Sequence, residues 1–149
     1  MVVGEYHGTK HALNNKSMIP PRDLRKISRG RLKDAEVLAK HKRYDGAIYL
    51  CGYSIEIALK ARICKTLKWA GFPETRSEFN NLKSFKTHNL DVLLNLSGVE
   101  NKIKTLYMPD WSIIALWDPS VRYKPIGSTN KSDAQDMINS SKIILKQLK

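Results

Sequence analysis

The stretch Gly46-Ala-Ile-Tyr-Leu-Cys-Gly-Tyr-Ser-Ile-Glu-Ile-Ala-Leu-Lys-Ala61 decides the fold of this chain. Its apolar side chains lie around every side of a helix rather than along one face, and a helix of that kind is buried in a protein core. We therefore expect one central, solvent-excluded helix from Tyr44 to about Trp69. Gly46 and Gly52 each lower the helix propensity by roughly 1 kcal/mol, and close approach of neighbouring helices is the expected compensation.

One charged residue, Glu56, lies in the middle of this apolar stretch, and Lys60 follows one turn later. A buried carboxylate needs an ion pair or hydrogen bonds, because an isolated buried charge is strongly unfavourable. Glu56 is either a structural tie to Lys60, Arg62 or a tyrosine, or it is part of a functional site. We favour the tie and expect Glu56 and Lys60 to be buried structural residues.

Helical patterns also cover most of the remaining chain. A first helix is expected from Pro21 or Arg22 to Lys42, because proline favours the first turn of a helix. The central helix is expected to start at an Asp45 N-cap. The other expected helices run from Thr87 or His88 to Gly98, from Val99 to Leu106, from an Asp110 N-cap to Trp117, and from an N-cap at Ser132 or Asp133 to the C-terminal residues.

No strand and no repeat is evident in the pattern. The sequence therefore predicts a single all-α domain over residues 21–149, an antiparallel up-and-down bundle of four to six helices. Residues 1–20 show no clear periodicity and are expected to form an irregular N-terminal arm.

A strong positive charge is the other dominant feature: 26 lysines and arginines against 14 aspartates and glutamates give a net charge of +12. A field of this sign attracts phosphate groups. On the first helix several basic residues recur at roughly helical spacing, and we call them the basic ridge: Arg22, Lys26, Arg29, Lys33 and Lys40. The basic ridge is either solvated surface or a phosphate contact, and the overall charge favours a nucleic acid or an acidic protein as partner.

Several classes of protein receive no support from the sequence. No apolar run reaches the roughly 18 residues that a membrane span needs, and the first residues do not resemble a signal peptide, so we expect no membrane association and a cytoplasmic location. Cys51 and Cys64 lie too far apart on one helix to form a disulfide. No zinc-ligand spacing and no phosphate-binding glycine loop is found, so no metal and no cofactor is expected.

Three segments, taken together and in this order, resemble a known family. The first runs from Arg43 to Ala61, the second is Lys86-Thr-His-Asn-Leu90, and the third is Trp117-Asp-Pro-Ser-Val-Arg-Tyr123. They resemble the signature helix, the Thr-His-Asp-Leu helix start and the Arg-Tyr loop of HEPN domains. The resemblance spans the chain from about Asp34 to the C-terminus.

The resemblance implies an antiparallel helical bundle that forms a homodimer. It also implies RNA cleavage, binding of nucleotides or nucleic acid, or partnership with a small nucleotidyltransferase in a toxin–antitoxin or defence pair. Ribonucleases of the family carry an arginine that is followed, after four to six residues, by a histidine. His88 matches that histidine, but the window before it holds Lys83 and Lys86 and no arginine, so the motif is incomplete.

His88 is therefore the main candidate for chemistry, because a histidine transfers protons near neutral pH. With Lys83 or Lys86 it would form the catalytic group of a weak, metal-independent ribonuclease; alternatively, it caps or orients the helix that begins there and packs against the central helix. Arg122 either contacts a phosphate or pairs with Glu56. The candidate residues for binding nucleic acid or a nucleotide are Arg122, Tyr123, Arg43, Arg29 and Lys33.

The function expected from the sequence is thus a HEPN-like module that binds nucleic acid, RNA in particular, or a nucleotide. A weak ribonuclease and a structural protein-interaction domain are the two alternatives.

Overall fold

The computed structural model describes residues 18–74 and 85–149. Within these ranges the chain forms six α-helices, a short 3₁₀ helix and one pair of two-residue strands. The helices are α1 (Pro21–Lys40), α2 (Tyr44–Leu67), α3 (Leu90–Ser97), α4 (Glu100–Leu106), α5 (Met108–Ile114) and α6 (Lys131–Gln147), and the 3₁₀ helix is Pro119–Tyr123. The prediction of an all-α fold is confirmed.

Helix α2 forms the centre of the fold. Helices α1, α3 and α6 and the 3₁₀ helix all pack against it, and its core residues include Ala47, Cys51, Ile55, Leu59 and Ile63. The helix ends at Leu67, where Lys68 adopts a left-handed conformation with φ of 56°, two residues before the expected end. An all-round apolar sequence has therefore produced a helix that the others surround.

A reciprocal pair of buried serines joins α1 to α2. Ser28 Oγ donates to the backbone oxygen of Ser54 at 2.7 Å, and Ser54 Oγ donates to the backbone oxygen of Ser28 at 2.8 Å. Both side chains are buried, and a buried hydroxyl without a partner would cost about 1–3 kcal/mol. These two hydrogen bonds therefore hold the two longest helices of the described residues in register.

A close approach occurs at Gly52, where a tryptophan ring packs directly on α2. A Cβ atom placed on Gly52 would lie 2.0 Å from Cε2 of Trp117. Trp117 follows α5 and is buried. At Gly46 the approach is less close, because a Cβ atom placed on this residue would lie 3.2 Å from Cδ1 of Leu38. The absence of a side chain at Gly52 thus allows Trp117 to pack directly on α2, and this packing positions the segment that leads into the 3₁₀ helix.

Two predicted N-caps are wrong, because their carboxylates bind distant groups instead of local backbone. Asp45 lies inside α2 and accepts hydrogen bonds from the backbone nitrogens of Gly127 and Thr129 at 2.6 and 3.0 Å. The bond from Gly127 is the main reason why the pKa of Asp45 is lowered. Asp110 lies inside α5 and accepts from Ser140 Oγ at 2.9 Å. Both aspartates therefore attach one part of the chain to another.

The starts of α3 and α6 also lie elsewhere than expected. Asn89 is the N-cap of α3. Asn130 is the N-cap of α6, and it forms a capping box with Asp133, in which each side chain accepts a hydrogen bond from the other's backbone nitrogen. In both cases an asparagine takes the capping position, for which its short side-chain carbonyl is well suited.

The prediction of no strand is wrong for two short segments. Strands β1 (Met18–Ile19) and β2 (Phe72–Pro73) pair antiparallel, with Met18 opposite Pro73. Two residues are too few to produce the alternation by which a strand is recognised in a sequence. β1 falls in the expected irregular arm, of which residues 1–17 lie outside the described residues, so the boundary at residue 20 stays a prediction.

Candidate functional site

A polar and aromatic stripe runs along one side of α2. It consists of Tyr49, Tyr53, Glu56 and Lys60, which follow one another at intervals of four, three and four residues. Side chains at these intervals lie above one another on a helix. The stripe is the surface of α2 on which the candidate site is built.

Glu56 is the anchor of this stripe. Its side chain is only 3% exposed, and both carboxylate oxygens have a partner: Lys60 Nζ lies 3.5 Å from Oε2, and His88 Nδ1 lies 2.6 Å from Oε1. Lys60 also lies over the ring of Phe72, 5.4 Å from its centroid. The expected tie between Glu56 and Lys60 is thus present, but only Glu56 is buried, since the side chain of Lys60 is 20% exposed. His88 is a further partner of Glu56 that the sequence did not indicate.

His88 joins the segment before α3 to this anchor. It does not cap α3, since the side chain of Asn89 does so by accepting from Val92 N at 3.1 Å. The side chain of His88 is 61% exposed although Nδ1 is bound to a buried carboxylate. Within the described ranges no hydrogen bond engages Nε2, so this nitrogen is left for a ligand.

The 3₁₀ helix brings Arg122 and Tyr123 to the same region. The guanidinium of Arg122 lies 4.8 Å from the centroid of the Tyr123 ring. Hydrogen bonds to the hydroxyls of Tyr123 and Tyr49 raise the pKa of Arg122, so the charge is secure at any ordinary pH. A contact between Arg122 and Glu56, one of the two roles expected for this arginine, is not formed within the described residues.

Asp118 links the histidine to the arginine electrostatically. It accepts a hydrogen bond from the backbone nitrogen of Ser120 at 2.8 Å. Bonds from Ser120 are the main cause that lowers the pKa of Asp118, and the nearby charges of His88 and Arg122 lower it further. The Asp118 carboxylate therefore lies near both His88 and Arg122, which come from separate segments of the chain.

Aromatic rings form the floor beside these charges. Tyr49 and Tyr53 meet edge to face with centroids 5.0 Å apart, and Tyr53 meets Trp117 in the same way at 5.1 Å. Burial is the main reason why the pKa of Tyr53 is raised to about 12, and its hydrogen bond with Tyr49 adds to the effect. Tyr53 is therefore neutral and acts as a packing and hydrogen-bonding group.

Of the other residues expected to bind or react, Arg43, Arg29 and Lys33 lie away from His88 and Arg122. Arg43 precedes α2 and lines a separate cavity of about 250 Å³. Arg29 lines a groove between α1 and α6, and Lys33 is exposed one turn further along α1. Lys86 is exposed two residues before His88, and Lys83 lies outside the described residues.

Sequence reasoning missed Tyr49, Tyr53 and Asp118 as members of the site. For the two tyrosines a signal was available, because their spacing places them on the face of α2 that carries Glu56. For Asp118 no local signal exists, since its proximity to His88 depends on how two distant segments pack.

A cluster of potential metal ligands is not present among the described residues. Residues 18–74 and 85–149 contain no group of three or more His, Cys, Asp or Glu residues placed to hold a metal ion. None of the described helices combines the length and apolar character that crossing a bilayer requires.

Comparison with known proteins identifies the family of the fold. A family model described as the HEPN domain matches residues 21–149, a range that contains all six helices and the cluster around Glu56. No curated protein and no solved structure is significantly similar to the chain. The match covers far more than half of the chain, and the chain therefore belongs to the HEPN domain family.

Proposed function

We propose that this HEPN domain binds single-stranded RNA, or a nucleotide as the minimal ligand, through His88, Arg122 and Tyr123. Membership of the family supports a nucleotide-binding or ribonuclease-like module at the level of the family. The observation that carries the proposal is the juxtaposition of Arg122, whose charge is held beside Tyr49, with Tyr123, whose side chain is exposed. We call His88, Arg122 and Tyr123 the binding cluster.

The chemistry of the binding cluster suits a phosphate followed by a base. A guanidinium donates two parallel hydrogen bonds to a phosphate. An exposed tyrosine offers a ring on which a base stacks, and such stacking is tolerant of sequence. The imidazole Nε2 of His88 supplies one more polar contact, and the net charge of +12 draws polyanions towards the surface.

Binding of a fluorescein-labelled oligouridine, measured by fluorescence anisotropy at several salt concentrations, tests this proposal. The affinity of the unmodified protein should fall as salt rises, because bound phosphates release counterions. Arg122→Ala should weaken binding about tenfold and reduce the slope of log K against log salt by about one. Tyr123→Ala should weaken binding about tenfold without changing that slope, since it removes stacking and no charge.

Lys102→Ala is the matched control for Arg122→Ala, because Lys102 is an exposed cation on α4. If Lys102→Ala lowers the affinity as much as Arg122→Ala, binding is a property of the net charge and not of the cluster. An affinity that does not depend on salt would contradict the proposal altogether.

The expected assembly is a homodimer, and the expected partner is a small nucleotidyltransferase in a toxin–antitoxin or defence pair, in the cytoplasm. Family membership supports the assembly and the partner. Two strongly exposed apolar side chains, Leu116 and Ile126, flank the 3₁₀ helix in the chain. Their exposure supports a role for these side chains in contacts with another chain.

Weak, metal-independent ribonuclease activity is a second candidate function, and the pair of Glu56 and His88 favours it. A buried carboxylate that holds Nδ1 at 2.6 Å orients the imidazole and leaves Nε2 to accept a proton from a ribose 2′-hydroxyl or to donate one to the leaving oxygen. A lysine such as Lys86 would stabilise the phosphate less well than the arginine of the family's ribonucleases.

Incubation of purified protein with RNA, with and without a chelator, tests the second candidate. Cleavage should persist in the chelator and fall at least about tenfold in His88→Ala. His41→Ala is the matched control, because His41 is an exposed histidine at the end of α1. Equal cleavage by His88→Ala and the unmodified protein would mean that a contaminating nuclease is responsible.

A further inference from the structure

We propose that the groove between α1 and α6 is the docking site for an acidic, amphipathic helix of a partner protein. We call this surface the basic groove. Its edges carry Arg25 and Arg29 from α1 and Lys142 and Lys146 from α6, and its volume is about 280 Å³. The basic groove is separate from the binding cluster and would serve a different kind of ligand.

The floor of the basic groove is apolar. It contains Leu32 of α1, Ala58 of α2, and Leu145 and Leu148 of the C-terminal region. The hydroxyl of Ser28, which also lines it, is already bonded to Ser54. Covering this apolar floor with aliphatic side chains removes apolar surface from water and is therefore favourable. A protein segment carries such side chains, whereas a nucleic-acid backbone does not.

The charges on the edges are largely uncompensated within the described part of the chain. Lys142 pairs with Glu36 at 2.5 Å, whereas no described carboxylate lies within ion-pair distance of Arg25, Arg29 or Lys146. Cations along both edges of an apolar channel match a helix whose apolar face is bordered by aspartate and glutamate.

Charge also argues against the chain itself as the occupant. A second copy would bring a net charge of +12 to a surface that is already positive. The two segments outside the described residues, 1–17 and 75–84, contain one acidic residue each, Glu5 and Glu78. Neither segment offers the row of carboxylates that the edges of the groove would pair with, so the occupant is a different, acidic protein.

The basic groove and the binding cluster lie on different sides of α2. Ala58, in the floor of the groove, follows Glu56 by two residues, which is a rotation of about 200° around the helix axis. A ligand in the groove therefore does not overlap with RNA at the binding cluster, and the two interactions are separable by mutation.

Anisotropy with a fluorescein-labelled peptide of about 16 residues, with leucine at i, i+3, i+4 and i+7 and glutamate between, tests the proposal. The peptide should bind with a dissociation constant below about 1 mM, and a scrambled peptide of the same composition should bind at least about tenfold more weakly. The double variant Arg29→Glu, Lys146→Glu should lose at least about tenfold in affinity. Leu145→Gln, which alters the floor without changing the charge, should also weaken binding.

The double variant Lys102→Glu, Lys131→Glu is the matched control, since it makes the same change in net charge at exposed positions outside the groove. It should leave peptide affinity within about twofold of the unmodified protein. Absence of peptide binding, equal binding of the scrambled peptide, or equal effects of the two double variants would overturn the proposal. So would a loss of oligouridine affinity in Arg29→Glu, Lys146→Glu that exceeds the loss in the control, because the groove would then be an RNA surface.

Discussion

Gly52→Ala is expected to lower the free energy of unfolding by about 4 kcal/mol, because the new methyl group and the ring of Trp117 cannot occupy the same space. The added Cβ would lie 2.0 Å from Cε2 of Trp117, far inside van der Waals contact. Either α2 moves away from Trp117 or the ring leaves the core, and both forfeit buried apolar contacts. Urea denaturation followed by circular dichroism measures the change.

Gly30→Ala is the matched control for Gly52→Ala. Gly30 lies inside α1, and a Cβ placed there meets nothing within 4 Å. The same substitution should therefore stabilise the protein by about 0.5–1 kcal/mol, because alanine loses less backbone entropy on folding. Effects of the same sign at the two positions would contradict the packing of Trp117 on Gly52.

Glu56→Ala is expected to destabilise the protein by about 3 kcal/mol, whereas His88→Ala should cost less than about 1 kcal/mol. Glu56 is buried, and its removal leaves the half-buried ammonium of Lys60 without its carboxylate. His88 is largely exposed, so water can take the place of its ring beside Oε1 of Glu56. Thermal unfolding of the two variants at one pH, beside Glu56→Gln, gives the comparison.

The difference in stability between Glu56→Ala and His88→Ala shows whether His88 has a structural role beside Glu56. If His88→Ala costs as much as Glu56→Ala, the histidine is a structural partner of the buried carboxylate. The role of His88 in binding or proton transfer would then lose its main support. A stable His88→Ala variant with impaired RNA binding or cleavage is the outcome that the binding cluster requires.

The sequence predicted the fold well where the signal is local and repeated. The extent of helix α2, Tyr44–Leu67, is close to the expected range, because burial on all sides follows directly from apolar residues on all sides. The sequence predicted the N-caps Asp45 and Asp110 wrongly, because an aspartate suits an N-cap and also suits a distant backbone amide or hydroxyl. Which of the two it binds depends on what the rest of the chain brings near.

The sequence singled out several residues of the candidate site but did not indicate how they are arranged. Glu56, His88 and Arg122 were each singled out, but besides Lys60 the partner of Glu56 is His88, 32 residues away, and not Arg122. The candidate binding residues do not form one surface either. Arg29 lies in the basic groove and Arg43 at the start of α2, since similar charges on a sequence do not indicate which face of the bundle they occupy.

The amino-acid sequence by itself determined an all-α chain with an enclosed central helix and an excess of positive charge, since periodicity and composition are properties of neighbours along the chain. Only the tertiary structure decided that Gly52 receives Trp117, that Glu56 holds His88, and that the cations separate into a binding cluster and a basic groove. The physical reason is that these pairings join residues far apart in sequence, and their free energy exists only once the helices have packed.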